Sequence, residues 1–158
     1  MKSPLTSPQP LSHAELSGVV RLAPLVSIDL IIRNAQDEVL LGLRRNEPAK
    51  GFYCVPGGMI RKGERLREAF TRILKDETGL KADFSAGRLV GVYEHFYDNN
   101  RFAEAGYGTH YVTLGYAIRF DDVSALVMDD QHSELGWWDE GAVLASDTVH
   151  PNAKTYFR

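Results

Sequence analysis

The 158-residue sequence is poor in cysteine, has no surplus of positive charge and has no long apolar run. Cys54 is the single cysteine, so no intrachain disulfide can form and a reducing cytoplasm is the expected compartment. Its simplest role is that of a small core residue. Lysine and arginine number 18 against 21 aspartates and glutamates, a net of −3, which leaves nothing to hold a nucleic-acid backbone. A small phosphorylated ligand stays open, because it needs only a local cluster of donors. No apolar run approaches the roughly 18 residues of a membrane span. The first ten residues hold three of the seven prolines and no apolar core, which argues against a secretory signal. What remains, 44% hydrophobic and 25% charged, is the composition of one soluble domain.

Residues 1–24 read as a disordered lead followed by a short helix, opened by Ser12 with Glu15 three places on and ended by Pro24. Residues 25–158 read as the main domain. Leu25–Arg33 and Val39–Leu43, rich in Val, Ile and Leu, predict a hairpin across Asn34–Glu38. Phe52–Val55 predicts a short strand that stops at a turn, Pro56-Gly57-Gly58, whose glycines permit close approach of a ligand. Arg88–Phe96, Tyr111–Phe120 and Glu134–Asp139 predict further strands, and Gly141–Ala145 and Asn152–Phe157 weak helical turns. Tyr97–His110 is a polar connection long enough for a lid or a ligand contact.

Between Arg65 and Thr78, Leu66, Ala69, Phe70, Ile73 and Leu74 fall at helical spacing, and Gly79 follows as a C-terminal cap. At about 100° per residue, Glu77 lies inside the apolar stripe. An isolated buried carboxylate is costly enough that it normally protonates, pairs or binds a cation. With the Gly57-Gly58 turn just before the helix and Glu64 at its start, carbonyls and carboxylates make a hard-oxygen site of the kind Mg²⁺ prefers when phosphates complete its shell.

Gly58, five residues, Glu64, seven residues, Arg72, then Leu74, Glu77, Gly79 and Leu80 resemble the Nudix signature G-x5-E-x7-R-E-U-x-E-E-x-G-U. The resemblance implies an α/β/α sandwich with a mixed β-sheet, of the α+β class. Two positions depart: Ile73 stands where the signature has its second glutamate, and Asp76 where it has the first of the Glu-Glu pair. In the family the missing glutamate helps bind the further metals that activate water for attack on phosphorus. Positions 73 and 77 are one turn apart on one face, so the isoleucine removes a ligand and fewer metals are expected.

A Nudix subgroup with this loss is GDP-mannose mannosyl hydrolase. Asn46–Gly58, His95–Asp98, Thr109–Tyr111, Asp130–His132 and Ala145–Phe157 also look like it, extending the resemblance over roughly residues 25–157. It implies hydrolysis of GDP-mannose or GDP-glucose by attack of water at the anomeric carbon, releasing GDP and free hexose. It further implies Mg²⁺, with Mn²⁺ as the alternative, held by the Gly57 carbonyl, Glu77 and Gln131. His132 matches the general base. Arg44, His95 and Tyr111 match contacts to the departing diphosphate, and Asp29 matches a residue near the substrate. Met59 replaces an arginine of that subgroup, and Arg61, on the same face if the segment stays extended, is the expected substitute. A homodimer is implied as well. The competing expectations are a Nudix pyrophosphatase attacking phosphorus, and a degenerate module that binds a nucleotide sugar without turnover. His13, His110 and His150 are expected to be structural or on the surface.

Overall fold

A computed structural model describes residues 9–127 and 132–158. Its elements are α1 (His13–Leu22), β1 (Leu25–Arg33), β2 (Val39–Arg44), β3 (Tyr53–Cys54), β4 (Gly57–Met59), α2 (Leu66–Thr78), β5 (Arg88–Tyr97), β6 (Thr109–Arg119), β7 (His132–Trp138), α3 (Glu140–Ala145) and α4 (Pro151–Lys154), with 3-10 turns at Phe84–Ala86 and Thr155–Phe157. The strands form one mixed sheet in the order β3-β2-β1-β6-β5, with β4 added on β1 and β7 on β2. β1 and β6 run parallel, and the other strand pairs are antiparallel.

Alternation along β1 explains the layering. Successive side chains of a strand face opposite ways, so Ile28, Leu30 and Ile32 meet Phe70, Ile73 and Leu74 of α2 in one core. Ile31 joins Val39, Leu41, Val143 and Phe157 in a second core beneath α3 and the C-terminal turns. Helices therefore cover both faces, and the chain is the α/β/α sandwich expected of it. Phe70, Ile73 and Leu74 are at most 1% exposed, each adding about 1.5–3 kcal/mol of burial. Ser27 and Asp29 fall on the side of Ile31, and there the sheet opens into a cavity.

Ser12 and Glu15 form the expected capping box on α1, with Glu15 N–H to Ser12 Oγ at 3.3 Å and Ser12 N–H to Glu15 Oε2 at 2.8 Å. Gly79 closes α2 in a left-handed conformation, φ 74°. Other expectations need correction. Leu66 is 43% exposed, so the buried stripe of α2 begins at Ala69, one turn later. The predicted hairpin meets only where Arg33 faces Val39, because β1 spends its length pairing with β6 and β4. The Gly57-Gly58 turn is itself a strand of the sheet.

Candidate active site

The two glycines of β4 stand at the junction of the cavity and α2. Gly57 pairs with Asp29 and Gly58 with Ile28. A Cβ on Gly57 would sit 2.1 Å from Asp29 Oδ1, and one on Gly58 3.1 Å from Ile73 Cγ1. Adjacent strand residues face opposite ways, so Gly57 looks onto the cavity side and Gly58 onto the helix. Gly57 has no room for a side chain, and one on Gly58 would press on Ile73.

A charged clamp holds the segment that follows. Glu64 accepts Arg72 Nε at 2.6 Å, Arg72 Nη2 at 3.0 Å and the Arg61 backbone N–H at 3.0 Å, while Arg72 Nη2 also donates to the Met59 carbonyl at 2.9 Å. Burial opposes the charge on Glu64, but the Arg72 guanidinium and the Arg61 N–H outweigh it and hold the carboxyl below its usual range. These two signature residues thus tie the glycine strand to α2. Glu77 is 6% exposed, on the same inward face as Ile73, as the helical spacing requires.

The cavity measures about 290 Å³, and Asp29, Arg44, Gly57, His95 and Tyr111 all line it. Tyr156 donates its hydroxyl to Asp29 Oδ2 at 2.6 Å. Burial raises the Asp29 carboxyl to about 6, against the pull of that hydrogen bond and of the Arg44 charge. His95 is 4% exposed, and burial, aided by the nearby His150, lowers its imidazole to about 4. The ring is therefore neutral at pH 7, and its buried Nε2 has no hydrogen-bond partner among the described residues. Tyr156 and Tyr93 set the ring's position, with centroids 5.7 and 6.4 Å away. Cys54 lines the cavity too, but burial pushes its thiol up to about 12, so it stays protonated and is no nucleophile.

The sequence-predicted site residues do not all gather in one place. Five share the cavity. Glu77, among the buried residues of α2, lies outside the cavity lining. Arg61 also lies outside that lining: β4 ends at Met59, so the alternation that would carry residue 61 onto the face of Met59 does not reach it, and Met59 itself faces the cavity. Across the sheet, the backbone of His132 pairs with that of Arg44, just past a shift in the β2–β7 register. Gln131 lies outside the described residues. Sequence reasoning missed Tyr156, whose only signal was an aromatic residue in a weak terminal turn. Of the histidines set aside, His150 caps α4 through Nδ1, His110 stacks on Phe96, and His13 meets the edge of Phe102.

The donor set suits a hard divalent cation. Among the described residues no three His, Cys, Asp or Glu side chains gather. A cation would rely on one buried carboxylate, backbone carbonyls and the ligand's own oxygens, a mixture Mg²⁺ accepts when phosphates complete its shell. No helix among the described residues is long and apolar enough to cross a membrane.

Comparison with known proteins agrees with fold and signature. The model of the NUDIX domain matches residues 23–158. Over 121 residues the chain is 41% identical to the low-salt glycan biosynthesis protein Agl8 of Haloferax volcanii, covering 77% of this chain and 74% of that protein. Over 72 residues it is 42% identical to an ADP-ribose pyrophosphatase of Methanocaldococcus jannaschii, covering 46% and 41%. The crystal structure of the MutT protein from Methanosarcina mazei Go1 superposes with a TM-score of 0.69 at 22% identity, covering 85% of this chain and 91% of that one. The chain belongs to the Nudix family, hydrolases of nucleoside diphosphate derivatives that generally use divalent cations such as Mg²⁺.

Proposed function

We propose that this Nudix hydrolase cleaves a nucleoside diphosphate sugar, GDP-mannose or GDP-glucose, by attack of water at the anomeric carbon. The water oxygen bonds to that carbon, the carbon–oxygen bond to the distal phosphate breaks, and its electron pair leaves with GDP as free hexose forms. The observation that carries the reading is Ile73. It is 1% exposed and packs against Gly58, with Cγ1 3.1 Å from where a Cβ there would sit, so hydrocarbon fills the place of the acid that would help load further metals for attack on phosphorus. The glycan-biosynthesis relative supports a sugar-bearing substrate.

His132, whose backbone pairs with that of Arg44, is the general base that takes the proton from water, for which an imidazole suits neutral pH. Arg44 and Tyr111 hold the diphosphate, and neutral His95 turns to it the Nε2 that has no hydrogen-bond partner among the described residues. Asp29, kept in place by Tyr156, borders the sugar. The Gly57 carbonyl, Glu77 and Gln131 would hold Mg²⁺ or Mn²⁺. That ion supplies neutralisation of the charge that grows on the leaving diphosphate. A homodimer in the cytoplasm completes the reading.

A second reading, phosphorus attack giving a mononucleotide and a phosphorylated product, draws support from the pyrophosphatase relative. Hydrolysis in ¹⁸O-water separates the two: the label is expected in the hexose, and label in phosphate refutes carbon attack. Absence of any Mg²⁺-dependent turnover would leave a binding module instead.

A further inference from the structure

Besides Arg44, one more arginine lines the cavity. Arg101 does so from the loop between β5 and β6, with its guanidinium 5.8 Å from the centroid of the Phe102 ring. Arg33, Arg72 and Arg119 each face an acid within 4 Å, whereas Arg101 has no ion pair among the described residues. The acids of the cavity wall are engaged elsewhere: Asp29 accepts from Tyr156, and Glu47 accepts Asn99 Nδ2 at 2.9 Å. Phe102 packs in the same apolar cluster as Met59 and Tyr111, so the loop brings a positive charge to the wall where Met59 offers none.

That loop is fixed in place. Asn100, 0% exposed, donates to the Glu104 and Tyr107 carbonyls, each at 2.9 Å, and accepts the Phe102 and Glu104 N–H groups at 3.1 and 3.2 Å. Thr109 Oγ1 donates to the Asn99 carbonyl at 2.8 Å. Ser17 of α1 meets Tyr107 Oη at 2.9 Å and donates to Glu104 Oε2 at 3.1 Å. A backbone ordered beforehand lowers the entropic cost of capturing a ligand. Burial raises the Tyr111 phenol, and the charges of Arg44 and Arg101 both pull against it, as two cations close to one hydroxyl must.

We propose that Arg101 is a diphosphate-binding residue, which with Arg44 takes the phosphates of the substrate and fills the role that Met59 cannot. The inference rests on the nucleoside-diphosphate reading above. It is tested on the full chain with Mg²⁺ by calorimetric binding of GDP, ADP and UDP and by steady-state hydrolysis of GDP-mannose. Arg101→Ala should weaken nucleoside diphosphate binding about 10- to 100-fold, the loss expected for a charged hydrogen bond, and raise KM more than it lowers kcat. Arg101→Lys should recover part of it, since charge returns without the two-pronged geometry. Arg61→Ala should bind within about twofold of the parent. Unaltered binding in Arg101→Ala, with a parent protein that binds, overturns the role of Arg101 alone. A parent that binds none of the three nucleotides overturns the nucleoside-diphosphate reading and this inference with it.

Discussion

The segment between Gly58 and Arg72 and the loop between β5 and β6 are organised by the same device, one buried polar side chain that gathers the chain around it. In the first, Glu64 gathers Arg72 and the Arg61 N–H. In the second, Asn100 bonds four backbone groups. They differ in charge and in what they are anchored to. Glu64 and Arg72 join β4 to a helix packed on the main core, so their loss should reach the whole domain. Asn100 holds only a loop resting on α1, and its loss should stay local. A charged pin needs its partner, whereas a neutral amide is satisfied by the backbone it organises.

The largest expected effect lies on the helix side. Glu77→Gln should lower the Mg²⁺-dependent rate about 10²–10³-fold while the circular dichroism spectrum and melting transition are kept; a rate within twofold would remove Glu77 from the site. Next, Glu64→Ala should cost about 2–3 kcal/mol, below the full figure for a broken buried pair because Arg72 keeps some contact with water. A urea titration should show a lower midpoint at an unchanged slope, and a loss below about 0.5 kcal/mol would make the clamp a surface pair.

Between the two regions lies His95. Its folded pKa of about 4 is below the ordinary value of about 6.5, so its contribution is complete above pH 6.5 and is lost as pH falls toward 4. The loss amounts to about 3 kcal/mol. In His95→Gln the fall in stability over that window should be shallower than in the parent, and an equal slope would show that the acid sensitivity resides elsewhere.

The smallest effect is expected on the loop side. Asn100→Ala should speed amide exchange at Phe102 and Glu104 about tenfold, roughly 1.4 kcal/mol of local opening, with amides of α2 unchanged. Matching acceleration in α2 would erase the distinction between a local and a global pin.

Spacing made α2 and its signature readable, because helical period and chemical motif coincide there: Phe70, Ile73, Leu74 and Glu77 all face inward. The cavity was readable only in part. Asp29 and His95 could be named by resemblance, but the burial that pushes both toward their neutral forms, and the Tyr156 hydroxyl in the last turn that pulls the other way on Asp29, come from the fold. Arg101 carried no signal at all, since an arginine in a polar loop looks solvated until the loop is folded back onto α1. The strand alternation invoked for Arg61 stops short of it, because β4 ends at Met59.

By itself the sequence determined the layers and one inward acid, because periodicity of two or 3.6 residues is written in neighbouring positions. Only the tertiary structure decided which charges face one another across the cavity. Those pairings join residues as distant as Asp29 and Tyr156, and their electrostatics depend on water being excluded from between them.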